Sequence, residues 1–228
     1  MNSDIGDGIK KIINATIKGS ISEIPLFGSL FAEYYGLVQS NIEDKRMNKW
    51  KDMMEEKLQI LQEQQYSIKQ LSTDELFYSC IRIATVDAMN CYQEEKRLLF
   101  ANTIYNAAVL DIDADKKMLF LSLLDKCTLI EINLLQYYAE SHYHKSEQSS
   151  SIISINIGRT EEPIKSILEN HPEYKNDIYY VKMLSEHLIS YGLVYFFDFE
   201  NPESPEKARR KRTSQLGDEF LSYIATVK

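Results

Sequence analysis

The stretch Glu94-Glu95-Lys96-Arg97-Leu98-Leu99-Phe100-Ala101-Asn102-Thr103-Ile104-Tyr105-Asn106-Ala107-Ala108 decides the fold. Four charges open it, which suits an exposed helix start. Behind them apolar residues fall on almost every side: Leu98, Leu99, Phe100, Ala101, Ile104, Tyr105, Ala107 and Ala108. A surface helix needs an apolar stripe only ~100° wide. This segment is apolar nearly all round, which predicts burial of its second half. Its alanines let neighbouring helices approach closely. The expectation is the central helix of an all-helical body, with Leu99, Phe100 and Ile104 in one core with Trp50 or its neighbours.

Upstream of it the period stays helical. Apolar residues Met47, Trp50, Met54, Leu58, Leu61, Ile68 and Leu71 recur mostly at three and four residues within a segment rich in good helix formers. This predicts one long amphipathic helix over 41–71, with Trp50 as a core anchor. Ser72 and Glu75 have the spacing of a capping box. The helix they open runs through Phe77, Cys80 and Ala88 and breaks near Asn90. Asp111-Ile112-Asp113-Ala114-Asp115 has the opening of a calcium loop. However, Lys116 stands where that loop needs Gly, and Ser122 stands where it needs Glu. Asp113 is expected instead to cap a helix over 114–124.

Residues 1–40 are expected to form an amphipathic hairpin. Ile5, Ile9, Ile13, Ile17 and Ile21 lie four apart, Pro25 suits the first turn of a second helix, and Gly28, Ser29 and Ala32 give a small-residue face. Membrane contact through residues 5–38 is the alternative use of such a face. Glu33 speaks against spanning, because a charge at the bilayer centre costs about 2.5–3.5 kcal/mol on insertion scales.

From Cys127 the pattern changes. A helix is expected over 128–141, then a polar loop in which His142 and His144 read as surface histidines. Ile152–Ile157 reads as a strand ending at Gly158, and a short helix runs over 160–169. A helix over 174–191 follows, closed by Gly192 in the position of a C-terminal capping glycine. Leu193–Phe199 reads as a strand, 201–208 as a loop, Arg212–Leu216 as a returning strand and 218–227 as a closing helix. That order is the order of a winged helix, with the loop after Phe199 as its wing. The expected fold is therefore mainly α: a helical bundle domain over 1–126, its long helices within 41–126, followed by a C-terminal winged-helix (α+β) domain over 127–228.

Composition bounds the function. The 228 residues carry 26 Lys+Arg against 34 Asp+Glu, a net charge of −8. That balance keeps a protein soluble and argues against nucleic acid as the main partner. Cys80, Cys91 and Cys127 are odd in number and form no CxxC pair, so they read as reduced thiols. Asp4 and Asp7 precede Lys10 and Lys11, unlike a signal peptide, and no apolar run reaches the ~18 residues of a transmembrane helix. A cytoplasmic location is the expectation. No glycine-rich phosphate loop, nucleophile elbow or HExxH is present. The expectation is thus no enzyme, no cofactor and no metal.

Two motifs together resemble the abortive-infection alpha family of bacterial phage-exclusion proteins. One is the run of charges followed by Leu98-Leu99-Phe100-Ala101-Asn102-Thr103-Ile104-Tyr105-Asn106-Ala107. The other is Gly192-Leu193-Val194 with Leu216-Gly217-Asp218-Glu219-Phe220. The resemblance covers roughly residues 74–228, and Phe100 stands where the family carries tryptophan. It implies a non-enzymatic bacterial protein linked to phage defence, and it transfers no catalytic residue. The leading expectation for the chain is an interaction protein that acts through a protein partner or self-association.

A DNA-binding regulator is the competing expectation. Lys207, Arg209, Arg210, Lys211 and Arg212 place five positive charges in or beside the wing, where phosphate contacts are often made. Lys175 and Lys182 lie on the helix that would enter a groove. Against it, residues 128–228 hold 11 Lys+Arg and 15 Asp+Glu, and that helix presents no Arg or Gln for base edges. The basic residues are expected to make accessory contacts with phosphate or with an acidic partner surface.

Overall fold

The computed structural model describes residues 40–139, 177–196 and 211–226. Among these the chain is mainly helical, with eight helices: α1 (Asn41–Glu63), α2 (Ile68–Leu71), α3 (Glu75–Asn90), α4 (Glu94–Val109), α5 (Ala114–Lys126), α6 (Leu129–Ala139), α7 (Ile178–Ser190) and α8 (Gln215–Ile224). The described residues fall into two compact units. The first holds 40–124 and 223–226, and the second holds 125–139, 177–196 and 211–222. The expected hairpin over 1–40, the strand at 152–157 and the helix at 160–169 lie outside the described residues.

In the first unit α4 is the central helix. Phe100, Ala101 and Ile104 are fully buried, while Leu98 and Leu99 are half-buried. Around α4 stand Met47, Trp50, Met54, Leu58 and Leu61 of α1 and Phe77, Cys80, Ile81 and Ala84 of α3, all buried. Each large apolar side chain so enclosed contributes about 1.5–3 kcal/mol. Trp50 is the anchor its apolar row predicts, and its indole N–H finds the Thr85 hydroxyl at 3.3 Å. Of the four charges that open α4, Glu94 and Glu95 are exposed as the sequence suggests, whereas Lys96 and Arg97 are not. Lys96 and Arg97 are 9% and 5% exposed. Arg97 Nη1 donates to the Cys91 carbonyl at 2.8 Å, so the guanidinium closes the connection between α3 and α4 instead of facing water.

The helix expected over 41–71 is two helices. Gln65 adopts φ 69°, its N–H donates to Gln62 O, and Tyr66 N–H donates to Leu61 O. These two bonds are a Schellman closure with glutamine in the left-handed position usually given to glycine. No Gly or Pro marks the break, which is why the sequence conceals it. Ser72 does not cap α3 either. Its hydroxyl donates back to Lys69 O at 2.8 Å, and Asp74 caps instead, accepting from Phe77 N at 2.7 Å. Asp113 caps α5 as expected, accepting from Asp115 N and Lys116 N.

The chain end closes this unit. Asn102 and Asn106, both buried in α4, turn their amides to the backbone of the C-terminal segment. Asn102 Nδ2 donates to Ile224 O at 3.2 Å, and Asn106 Nδ2 donates to Tyr223 O at 2.8 Å and Ala225 O at 3.1 Å. These carbonyls belong to the set that every helix leaves unpaired at its C-terminus. Tyr223 packs its ring 5.5 Å from Phe120 and its hydroxyl against the Cys80 thiol, and burial pushes both groups' pKa values up.

In the second unit α6 begins with a full capping box. Thr128 Oγ1 accepts from Glu131 N at 3.2 Å, and Glu131 Oε2 accepts from Thr128 N at 2.7 Å. α7 packs on α6 through Val181, Leu184 and Leu188, with Tyr138 OH 3.0 Å from Ser185 Oγ. It ends in a second Schellman closure. Gly192 sits at φ +72°, its N–H donates to Ile189 O, and Leu193 N–H donates to Leu188 O. Beyond the turn, no strand forms among the described residues. Val194 and Thr213 make an isolated antiparallel bridge, held by Ser214 N–H to Leu193 O and Tyr195 N–H to Arg212 O, each 2.9 Å. The returning strand expected over 212–216 stops early because Ser214 starts a helix. Its Oγ accepts from Gly217 N at 3.0 Å, which makes Gln215 and Leu216 the first residues of α8. Gly217 is needed for closeness: a Cβ there would lie 2.2 Å from Leu193 O.

Candidate functional site

Of the site residues that the sequence singles out, the structure describes Lys182, Lys211 and Arg212, all in the second unit. Lys175, Lys207, Arg209 and Arg210 lie outside the described residues. Lys211 is exposed and ion-paired with Asp218. Arg212, expected at the edge of the basic wing, is only 8% exposed. Its backbone is spoken for on both sides, donating to Tyr138 O at 2.8 Å and accepting from Tyr195 N. Lys182 is half-buried on α7. Burial of Asp218 works against its charge, yet the Lys211 ammonium and the Thr213 hydroxyl, 2.6 Å away, outweigh it and hold the carboxyl below its ordinary range.

The outward face of α7 is the distinctive surface. Val181, Leu184, Ser185 and Leu188 turn inward and are buried. At 100° per residue the opposite stripe is Tyr179, Met183, Glu186 and Ser190, flanked by Lys182 on one side and His187 on the other. Tyr179 is 86% exposed and Met183 40%. Tyr195 and Phe196, just past the Gly192 turn, are exposed as well. Sequence periodicity picks out the buried row of this helix. The outer pair was legible too, as Tyr179 and Met183 four residues apart opposite that row, but its exposure needed the fold.

Glu131 is 2% exposed and places Oε1 3.1 Å from His187 Nδ1. Its other oxygen takes the Thr128 N–H and hydroxyl. The carboxylate thus completes a helix cap and receives the imidazole at its remaining oxygen. Among the described residues no hydroxyl or thiol is hydrogen-bonded to the His187 ring. Nearby, burial raises the Tyr191 hydroxyl's pKa, and Cys127 and Glu131 raise it further. Among the described residues no group of three or more His, Cys, Asp or Glu stands ready to hold a metal ion, and no helix is long and apolar enough to cross a membrane.

No protein family, characterised protein or solved structure matches this chain.

Proposed function

We propose that this chain is a non-catalytic, cytoplasmic binding protein of bacterial phage defence, acting through protein–protein contact made by the outward face of α7. The observation that carries the reading is the exposure of Tyr179 and Met183 on that face. Tyrosine and methionine are enriched at protein interfaces and contribute large contact areas there. The phage-defence assignment rests on the motif resemblance over residues 74–228. The second unit is read as a winged helix: α6 and α7, the Gly192 turn, the Val194–Thr213 pairing and the closing α8 follow in the winged-helix order.

A DNA-reading role has less support. The helix that would enter a groove, Ile178–Ser190, offers no Arg, Asn or Gln for bidentate contacts with base edges. Lys211 is balanced by Asp218, and Arg212 is buried. The test is plating efficiency of phages on a bacterial host expressing the wild type or the double variant Tyr179→Ser, Met183→Ser. Protection by the wild type, lost in the variant while circular dichroism is unchanged, is the expected result. Protection by neither, or by both equally, overturns the reading. Sequence-specific duplex binding at physiological salt would put a regulator in its place, and binding to anionic vesicles would put a membrane effector there.

A further inference from the structure

We propose that residues 223–225 form a reversible latch over Cys80: they leave α4 as a unit while the rest of the first unit stays folded, and the thiol reacts only in the open form. The latch is held to α4 by side-chain amides. Asn102 Nδ2 donates to Ile224 O, and Asn106 Nδ2 donates to Tyr223 O and Ala225 O. Beneath it Cys80 is 1% exposed, and the Tyr223 hydroxyl meets its thiol.

Closure buries polar groups that it does not fully pair. Asn102 and Tyr223 are 0% exposed, yet among the described residues Asn102 Oδ1 and the Tyr223 hydroxyl have no full hydrogen-bond partner. The thiol that the hydroxyl meets is a weak donor and a weak acceptor. A buried polar group without a good partner is costly, and water reaches both groups once the latch lifts. The rest of the wall around α4 has the opposite character. Trp50, Met54, Phe77 and Ile81 are buried, and opening there wets large apolar side chains. The latch itself buries only Tyr223 and Ile224, since Ala225 is exposed. Segments that open ahead of global unfolding are those with few buried apolar contacts. The thiol beneath is suited to such gating. Burial holds its pKa up in the closed form, while the Tyr223 hydroxyl and the Lys117 ammonium pull it down, against a smaller opposite effect of Asp74. Opening removes the burial and leaves Lys117 in place to favour the reactive thiolate.

Treating the full chain with N-ethylmaleimide in native buffer tests this, with each cysteine read separately by mass spectrometry of its peptide. The thiolate sulfur adds to the maleimide double bond, and the neighbouring carbon takes a proton from water. Cys80 is expected to react about a hundredfold or more faster than global unfolding, followed by Trp50 fluorescence, allows. Urea is expected to speed its reaction only weakly, because the opening exposes little surface. Asn106→Ala is expected to speed Cys80 modification by about thirtyfold or more, and to leave Cys127 of the second unit unchanged. Tyr223→Phe is expected to slow Cys80 modification severalfold, because it removes a hydroxyl that closure buries without a full partner. Reaction of Cys80 no faster than global unfolding, or with the urea dependence of global unfolding, overturns the inference. So does an unchanged rate in Asn106→Ala or faster reaction in Tyr223→Phe. If Asn106→Ala does not fold, the wild-type urea dependence and Tyr223→Phe decide.

Discussion

Replacing Asn106 by Ala should loosen the first unit by about 2–3 kcal/mol, although the position lies in the last turn of a helix, where alanine is otherwise favoured. Asn106 is 6% exposed, and its amide serves Tyr223 O at 2.8 Å and Ala225 O at 3.1 Å. A hydrogen bond nets about 0.5–1.5 kcal/mol, and stranding a buried acceptor costs about 1–3 kcal/mol. Tyr223 is buried, so its carbonyl would carry the larger penalty. Ala225 is exposed, so water can replace its lost bond. The readout exists in the chain, because Trp50 is the sole tryptophan and is fully buried in this unit. Urea unfolding followed by its fluorescence should show the midpoint falling by about 1–2 M at an unchanged slope, given slopes of about 1–3 kcal/mol/M. Asn106→Asp should be at least as costly, because a carboxylate would face two carbonyl oxygens. Ending the chain after Ser222 should lower the midpoint too, and Asn106→Ala should then add little, because its acceptors are gone. A midpoint shift under about 0.3 M in the full chain, or full additivity with the truncation, would refute the view that α4 holds the chain end.

Phe100→Ala should cost about 3–5 kcal/mol, the range for deleting a fully buried aromatic side chain, with the same loss of Trp50-monitored stability. Gly192 and Gly217 should separate two reasons for glycine in calorimetry of the second unit. Gly192→Ala has room for its Cβ, 3.9 Å from the nearest atom, and should cost only the left-handed penalty of about 1–2 kcal/mol. Gly217→Ala drives its Cβ into Leu193 O and should cost more, with α8 displaced. Asp218 has its pKa lowered in the fold, so its contribution is present above the unfolded value of about 3.9 and lost as pH falls through the lower folded value. Acid unfolding below pH ~4 should therefore become shallower in Asp218→Asn, and an identical acid limb would count against the Lys211–Asp218–Thr213 contacts.

The helical character of the chain was present in its sequence alone. The all-round apolarity of 98–108, the row from Met47 to Leu61 and the Asp113 cap are local patterns, set by a period of 3.6 residues and by side chains bonding within one turn. Gly192 was legible for the same reason, because a glycine after a periodic helix has one common use. Local patterns also misled where two residues competed for one role. Ser72 and Asp74 could each cap α3, and only the backbone path of the preceding turn selects Asp74. The break at Gln65 left no trace in composition, since a left-handed glutamine is tolerated only when the surrounding packing holds it there.

Tertiary structure alone decided what depends on residues far apart in the chain. Lys96 and Arg97 read as a solvated helix start, but the carbonyl that Arg97 meets belongs to the turn at Cys91. Arg212 read as part of a basic loop, and pairing with Tyr138 and Tyr195 draws it inward. In sequence Asn102 and Asn106 are two polar residues within a mostly apolar run. They become its most specific feature because residues 223–225 bring unpaired carbonyls within reach, across more than 115 positions. The outward exposure of Tyr179 and Met183 belongs to the same class. A sequence shows which residues of a helix share a face, but burial of one face against α6 is what leaves the other to solvent and to a partner.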